Sequence, residues 1–187
     1  MSPAEPHVTR DKERTKQAVI AAATRMISAH GAGVSLADIA AEAGVSKGAL
    51  THHFPSRDAL EVAILASGVQ RFRDEVHARV DLSENRPGKL LRGYIRALTT
   101  DSPFMREVFS PAALLLIMGA GQPIQQLLEE DAQSWRQDFA ADGLDPATSL
   151  VLRYAAEGLA GGTGSPYLTP GELESARARL LELAEPS

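Results

Sequence analysis

The stretch GVSLADIAAEAGVSKGALTHHFPSRDAL, residues 33–60, contains the local signals that decide how the N-terminal region folds. Ser35 begins a capping box, and Ser46 is the N-cap of a second short helix. Gly44 lies between the two helices, where the turn requires a positive φ. Pro55 ends the second helix, because proline disfavours helical geometry in the residue before it. Two short helices joined by a tight turn predict a helix-turn-helix.

The second helix of this motif presents a polar face. Val45, Ala49 and Leu50 turn inward to pack on the neighbouring helices, which leaves four positions on the opposite side. These positions hold Lys47, Gly48, Thr51 and His52. A cation, a glycine that permits close approach, a hydroxyl and an imidazole suit the major groove of DNA. Ser46 and Arg57 mark the N-termini of two helices, where free backbone amides favour the binding of phosphate.

The remainder of the chain is predicted to be helical as well. Apolar residues recur at steps of three and four, and no alternating run is long enough for a strand. Thr169 and Glu172 form a capping box around Pro170 and predict a terminal helix to about Leu183. The predicted fold class is all-α with about nine helices, comprising an N-terminal three-helix helix-turn-helix domain and a C-terminal antiparallel helical bundle.

Residues from about 14 to 64 resemble the DNA-binding domain of TetR-family transcriptional regulators. The resemblance implies an all-helical homodimer whose third helix binds double-stranded DNA and whose C-terminal domain binds a small effector. It divides the chain into a flexible N-terminal arm (1–9), a helix-turn-helix domain (10–57) and an effector-binding and dimerisation domain (58–187). The specific part of the match is the spacing of Ile39-Ala40, Ala43-Gly44-Val45-Ser46, Leu50 and His53-Phe54-Pro55-Ser56.

The resemblance and the helix N-terminus at Ser46 together indicate which residues lie at or near DNA. Two positions depart from the common pattern of the family. Thr51 stands where a tyrosine is frequent, and Ala37 stands where a basic residue often occurs. Both departures bear on the operator sequence and not on the class of function. The predicted DNA-binding residues are Ser35, Ser46, Lys47, Gly48, Thr51, His52, His53 and Arg57.

Charge is distributed unevenly along the chain. Residues 1–57 carry seven Lys or Arg against five Asp or Glu, a net charge of +2, whereas the remaining residues carry −7. Local charge rather than net charge governs contact with a polyanion. The absence of cysteine favours a reducing compartment, and residues 1–17 lack the apolar region of a signal peptide. With no apolar run long enough to span a bilayer, we expect a cytoplasmic protein without a membrane partner.

The C-terminal half concentrates aromatic residues and methionines that either fill a helical core or line a ligand cavity. Helical spacing alone favours the core. Asp131 breaks the pattern, because it falls within the apolar stripe of its helix and needs an arginine partner or a cationic effector if it is buried. The predicted effector pocket comprises Tyr94, Met105, Phe109, Met118, Asp131, Trp135 and Tyr154.

The helix from Asp145 to about Ala160 carries small residues that allow close approach of another helix. Together with the terminal helix it predicts a self-complementary four-helix dimer interface, which the resemblance also implies. Packing within one chain is the alternative explanation. The predicted interface residues are Ala155, Gly158, Leu159 and Leu180.

No catalytic or metal site is predicted. Residues 119–121 lack the third glycine of a dinucleotide-binding motif, and residues 164–166 do not form a nucleophile elbow. His52 and His53 point about 100° apart on a helix, so that they cannot ligate one ion without other ligands. We therefore expect no enzyme activity, no cofactor and no metal ion.

The sequence thus predicts a sequence-specific transcriptional regulator, a repressor that a small-molecule effector releases from a pseudo-palindromic operator. An activator of the same fold is one alternative. A small-molecule-binding or catalytic protein with a vestigial helix-turn-helix is another. A nonspecific architectural DNA binder is a third, which the modest positive charge of residues 1–57 disfavours.

Overall fold

The computed structural model describes residues 6–31, 33–108 and 121–186. Within these ranges the chain forms nine α-helices and no strand, which confirms the predicted all-α fold class for this part of the molecule. The helices are α1 (Pro6–His30), α2 (Leu36–Glu42), α3 (Lys47–His53), α4 (Arg57–His77), α5 (Lys89–Leu98), α6 (Pro103–Val108), α7 (Gln122–Ala141), α8 (Pro146–Gly162) and α9 (Pro170–Leu183).

The chain divides into two compact units, unit 1 (1–68) and unit 2 (69–187), and α4 contributes to both. Helix α1 begins at Pro6, so that residues 6–9 of the expected N-terminal arm are helical, whereas residues 1–5 lie outside the described residues. The assignment of DNA binding to residues 10–57 and of effector binding to the residues after them stays a prediction.

Unit 1 is organised around one face of α1, which contacts both α2 and α3. The buried residues on this face recur at steps of three and four, as expected for one side of a helix. Burial of this face fixes the two short helices, which would have little stability alone. The buried core of unit 1 comprises Val19, Ile20, Ala23, Val34, Ile39, Ala40, Leu50, Phe54 and Leu60.

Unit 2 encloses a larger core, in which α5 is the central helix. Helix α5 contacts α7, α8 and α9. Seven of the ten residues of α5 are buried, which is more than one helix face. Helix α5 is therefore covered by other elements of unit 2 on most of its circumference.

A buried arginine joins the start of α5 to the end of α9. Arg92 is only 1% exposed. Its Nε donates to Glu84 Oε2 at 2.6 Å, and its Nη1 donates to the carbonyl oxygens of Pro87 at 3.0 Å and Ala184 at 2.7 Å. Arg96 donates to the other oxygen of Glu84 at 3.2 Å. The buried guanidinium is thus both charge-balanced and hydrogen-bonded, as burial of a charge requires.

The pKa of the Glu84 carboxyl provides a test of this arrangement. Burial raises the pKa of its carboxyl, but the hydrogen bonds and positive charges of Arg92 and Arg96 outweigh burial. The pKa of Glu84 therefore lies below its ordinary value of 4.5. Because folding lowers this pKa, the carboxylate contributes its full stability above about pH 4.5 and loses it as the pH falls through the lower folded value.

Replacing Glu84 with glutamine is expected to lower the free energy of unfolding by about 3 kcal/mol at neutral pH, because Arg92 then stays buried without a counter-charge. Urea unfolding should be followed by the fluorescence of Trp135, the only tryptophan in the chain. The wild-type and Glu84→Gln stabilities should converge as the solution is acidified. A difference that is independent of pH would contradict the role assigned to the carboxylate.

Candidate functional site

The turn between α2 and α3 sets the direction of α3. Gly44 has a φ of +68°, in the left-handed region that favours glycine. Its amide donates to the Ala41 carbonyl at 3.1 Å, and the Val45 amide donates to the Ala40 carbonyl at 2.9 Å. These two bonds form a Schellman motif, which satisfies carbonyls at the C-terminus of α2. Ala40 and Val45 both pack in the core of unit 1, so that the turn is held from inside.

Helix α3 is capped at its N-terminus and anchored along one side. The Ser46 side chain accepts a hydrogen bond from the Ala49 amide at 3.1 Å. Leu50 is fully buried, and Phe54, just after the helix, is nearly so. The opposite side of α3 is left to solvent, and we call it the α3 face. It comprises the exposed residues Lys47, Gly48, Thr51 and His52.

Thr51 has its hydroxyl proton engaged within α3. The Thr51 Oγ1 lies 3.1 Å from the carbonyl oxygens of both Lys47 and Gly48. A hydroxyl that donates to its own helix still has a free acceptor lone pair. Thr51 therefore offers a partner an acceptor oxygen and a methyl group, whereas Lys47 offers donors only.

Gly48 is a glycine that neither packing nor conformation requires. A Cβ at this position would meet only the Ser46 Oγ at 3.9 Å, an ordinary contact distance. Its φ lies outside the left-handed region. Glycine within a helix costs up to about 1 kcal/mol relative to alanine. A glycine without an internal role suits a surface that a partner approaches closely.

The first residues of α2 and α4 have partners within unit 1. Ser35 donates to the Asp38 carboxylate at 2.6 Å and accepts from the Asp38 amide at 3.2 Å, which completes the expected capping box. Arg57 donates through Nη1 to the Val34 carbonyl at 2.6 Å and through Nε to Glu61 at 2.7 Å. The Arg57 side chain is 33% exposed. It therefore fixes the start of α4 and has only part of its guanidinium in solvent.

His52 and His53 at the end of α3 differ in burial. His52 is exposed, whereas His53 is half-buried with its ring centroid 6.4 Å from that of Phe54. The two imidazole centroids are 5.6 Å apart and their planes are inclined by 74°. Among the described residues, no group of three His, Cys, Asp or Glu side chains is arranged to hold a metal ion. Of the two histidines only His52 is exposed, on the same side of α3 as Lys47.

Comparison with known protein families agrees with this geometry. The profile of "Bacterial regulatory proteins, tetR family" matches residues 19–64, which include the helix-turn-helix. The profile of "Tetracyclin repressor-like, C-terminal domain" matches residues 88–185, more than half of the chain. The chain belongs to the TetR family. A search of curated proteins found no match to it.

Solved structures share the fold of this TetR-family chain. A transcriptional regulator from Rhodococcus sp. Rha1 matches with a TM-score of 0.71 and 23% identity, over 90% of this chain and 95% of its own. A protein from Saccharomonospora viridis in complex with choline matches with a TM-score of 0.70 and 20% identity, over 91% and 95%. The multidrug binding protein EbrR, complexed with imidazole, matches with a TM-score of 0.68 and 27% identity, over 100% and 99%.

Membership of the TetR family sets the class of function. The fold supports DNA-binding transcriptional regulation. TetR-family regulators bind DNA and small-molecule effectors, act as dimers and are generally not enzymes. None of the helices within the described ranges is both long enough and apolar enough to cross a membrane.

Four rings in the core of unit 2 form what we call the aromatic cluster, Phe72, Tyr94, Trp135 and Phe139. Five of their pairs have centroids 5.3–5.9 Å apart; Trp135 stacks on Phe139, and the other four pairs meet edge to face. Tyr94 and Trp135 were predicted effector residues, and the predicted residue Met105 lies in the same core. The structure therefore brings these three together, in a packed environment.

The other apolar residues of the predicted pocket are not in this cluster. Tyr154 is 63% exposed, because Leu152 and Ala156 on either side of it occupy the buried face of α8. Its predicted place in the pocket is corrected to the surface of unit 2. Phe109 and Met118 lie outside the described residues.

Asp131 has the arginine partner that was one of its two predicted alternatives. Its Oδ1 accepts from Arg73 Nε at 2.7 Å, and Arg73 also donates to Asp138 at 3.0 Å. The Arg73 guanidinium lies 4.3 Å from the centroid of the Trp135 ring. The sequence indicated that Asp131 needed a partner but not which one, because Arg73 is 58 positions away.

A second guanidinium lies on the aromatic cluster. Arg153 is 4.3 Å from the ring centroid of Phe139 and 5.9 Å from that of Tyr94. The Tyr94 hydroxyl donates to Glu157 at 2.8 Å. Burial raises the pKa of Tyr94, and the negative charge of Glu157 raises it further, so that the hydroxyl stays a neutral donor. Neither Arg153 nor Glu157 could be selected from the sequence, since charged residues on a helix are usually solvated.

The residues predicted for the dimer interface fall into two groups. Ala155 and Gly158 are exposed on α8, and Leu159 is partly buried against the core of unit 2. Leu180 is only 8% exposed and belongs to that core. Its predicted place in the interface is corrected, because α9 packs against α5 and α8 of the same chain.

Helix α8 also exposes large apolar side chains that sequence analysis did not select. Leu150 and Val151 are 50% and 66% exposed, and Tyr154 lies beside them. These three residues and the exposed small residues of α8 recur at steps of three and four, so that they lie in one stripe along the helix. We call this stripe the α8 surface, composed of Leu150, Val151, Tyr154, Ala155 and Gly158.

Replacing Gly48 with alanine is expected to move stability and DNA affinity in opposite directions. The free energy of unfolding should rise by up to about 1 kcal/mol, because the helix gains a better former and the Cβ meets no obstacle. DNA affinity should fall, because the added methyl lies on the α3 face. Thermal unfolding and fluorescence anisotropy with labelled DNA measure the two effects. Unchanged DNA affinity would remove Gly48 from the interface.

Proposed function

We propose that the chain is a transcriptional repressor that binds a pseudo-palindromic operator as a homodimer and leaves it when a small molecule binds unit 2. The observation that carries this proposal is the polar α3 face, held outward by the buried Leu50 on the other side of the helix. A short helix presented in this way fits the major groove. A bacterial regulator of this kind acts in the cytoplasm, where its DNA lies.

The residues of the α3 face have distinct roles in this proposal. Lys47 and His52 donate hydrogen bonds to phosphates or base edges, and Thr51 offers its acceptor oxygen and methyl group to bases. Gly48 lets the α3 backbone approach the groove. His53, at the half-buried edge of this face, contacts the DNA backbone.

The residues at the starts of α2, α3 and α4 position the protein on DNA. We assign Ser35, Ser46 and the exposed part of Arg57 contacts with phosphate oxygens. Such contacts set register and orientation without reading sequence. Arg57 would therefore combine two tasks, since it also holds the Val34 carbonyl and Glu61.

The ligand response is assigned to the aromatic cluster and the groups beside it. Tyr94, Trp135 and Asp131 combine apolar rings with polar atoms, the composition typical of small-molecule sites. The choline complex of the Saccharomonospora viridis protein and the imidazole complex of EbrR support a ligand response in this fold. A ligand that binds one conformation better shifts the population away from the DNA-bound form.

Dimerisation is assigned to the α8 surface of two copies. A symmetric dimer buries the same surface on both partners, so a stripe of apolar and small residues can pair with itself. Two copies of α3 would then read half-sites about 34–36 Å apart or somewhat further along the DNA. The two-fold symmetry of the dimer accounts for the pseudo-palindromic operator.

Footprinting across the DNA upstream of the chain's own gene, at two salt concentrations, tests the DNA-binding proposal. Lys47→Ala is expected to weaken binding to the protected site by about tenfold, and to reduce the slope of log affinity against log salt by about one, because one phosphate contact is lost. Lys89→Ala removes the same charge from an exposed position in unit 2 and is the matched control.

Equal losses in the two lysine variants would remove Lys47 from the interface and leave only nonspecific electrostatic binding. Salt-sensitive binding without a protected site would favour an architectural role or an operator elsewhere, which a random-sequence selection separates. A transcription assay on the protected site then gives the sign of regulation. Increased transcription would replace repression by activation.

Placing a charge on the α8 surface tests the dimer. Val151→Asp is expected to weaken dimerisation by about 3 kcal/mol, because the interface would bury a carboxylate without a partner. Sedimentation equilibrium gives the dimer dissociation constant. Gln137→Asp adds the same charge at an exposed position of α7 and should leave the constant unchanged. A Val151→Asp protein that dimerises like the wild type would exclude α8 as the interface.

A further inference from the structure

The aromatic cluster already carries a cation that the rest of unit 2 holds weakly. The Arg153 guanidinium carbon lies over Phe139, 4.3 Å from the ring centroid, yet the side chain forms no ion pair with any residue in the described ranges. Its Nε is buried and has no hydrogen-bond partner there, while the rest of the guanidinium interacts with the Tyr94 hydroxyl. A buried polar N–H without a partner is destabilising, because it has lost its hydrogen bonds to water. Arg153 is also partly exposed, so that its flexible side chain can swing toward solvent.

Arg73 differs from Arg153 in how firmly it is held. Arg73 is paired with both Asp131 and Asp138 and also donates to the Asp131 carbonyl at 3.1 Å. It lies over Trp135, on a different ring from Arg153. The two stacked arginines are thus unequal, and Arg153 is the one that can leave its ring at low cost.

The groups that contact the cluster or its two arginines include one more carboxylate than guanidinium groups. Asp131, Asp138 and Glu157 supply three carboxylates, whereas Arg73 and Arg153 supply two guanidinium groups. Glu157 accepts a hydrogen bond from the Tyr94 hydroxyl and forms no ion pair in the described part of unit 2. A carboxylate beside aromatic faces is the combination that binds an organic cation, through its charge and through cation–π attraction.

We propose that the aromatic cluster binds a planar organic cation, which takes the place of the Arg153 guanidinium on Phe139 and Tyr94 and pairs with Glu157. The cation belongs to the class with a delocalised charge on a flat group, such as an amidinium or a guanidinium attached to an apolar ring. This inference rests on the proposed ligand response and names the chemical class of the effector. Uncharged ligands of the same shape lack the attraction to Glu157.

Benzamidine and benzamide form a matched pair of probes, because they have nearly the same shape and only benzamidine is charged at neutral pH. Each is titrated into the full-length protein while the fluorescence of Trp135, the only tryptophan, is followed. Trp135 stacks on Phe139 with centroids 5.4 Å apart, so that it reports occupancy of the neighbouring ring. Benzamidine should give a saturable change, and benzamide should give none at the same concentration. Equal responses would overturn the proposal without any variant being needed.

Two variants then test Glu157 and Arg153, because one is expected to weaken benzamidine binding and the other to tighten it. Glu157→Gln keeps a hydrogen-bond acceptor for Tyr94 but removes the charge, and it should weaken benzamidine binding by about tenfold or more. Glu130→Gln, at an exposed position of α7, is the charge-matched control and should bind like the wild type. Arg153→Ala vacates the ring and should tighten benzamidine binding several-fold, a gain that mere structural damage would not produce.

Thermal unfolding establishes that each variant is folded before its affinity is read. Wild-type affinity in Glu157→Gln, or weaker binding in Arg153→Ala, would overturn the proposal. Anisotropy with labelled operator DNA, with and without benzamidine, separates this inference from the proposed function. Loss of benzamidine binding with intact DNA binding defeats the cation site alone. Charge-selective binding of benzamidine without any DNA binding supports the site and defeats the repressor.

Discussion

The hydrogen bond from the Val45 amide to the Ala40 carbonyl ends α2 and turns the chain into α3. That geometry relies on the positive φ of Gly44, and every side chain of the α3 face takes its direction from it. Leu50 then fixes the rotation of α3 about its own axis, because its side chain is fully buried. A helix of two turns has little stability alone, so one glycine and one core contact together determine the direction in which the α3 face points.

Unit 2 uses arginine in two physically different ways. Arg92 is bound by a carboxylate and by two carbonyl oxygens, and its removal would leave several buried acceptors without donors. Arg73 and Arg153 instead lie over aromatic rings, where the weak hydration of the guanidinium is an advantage. The first kind of contact holds helices together. The second kind shows that the ring faces are compatible with positive charge.

The parts of the fold that sequence analysis predicted are those set by neighbours in the chain. The capping boxes at Ser35 and Thr169 form as expected, because each cap and its partner are three residues apart. The pairing of Asp131 with Arg73 could not be predicted, since no local signal links positions so distant. The apolar spacing around Leu180 is the same whether its own chain or a second copy covers this residue, so the sequence could not distinguish the two cases. The DNA-contacting residues stay predictions, because exposure shows which side chains can touch DNA and not which do.

The hydrogen bond from Arg92 to the Ala184 carbonyl joins residues 92 positions apart, whereas the core of unit 1 is complete once Ile64 is in place. Ribosomes release the N-terminal part of a chain first, and domains generally fold in that order. The helix-turn-helix can therefore mature while much of unit 2 is still being translated. Arg92 obtains its last partner only when residue 184 has emerged. The packing of unit 2 is thus completed after that of unit 1, so that the α3 face forms before the α8 surface.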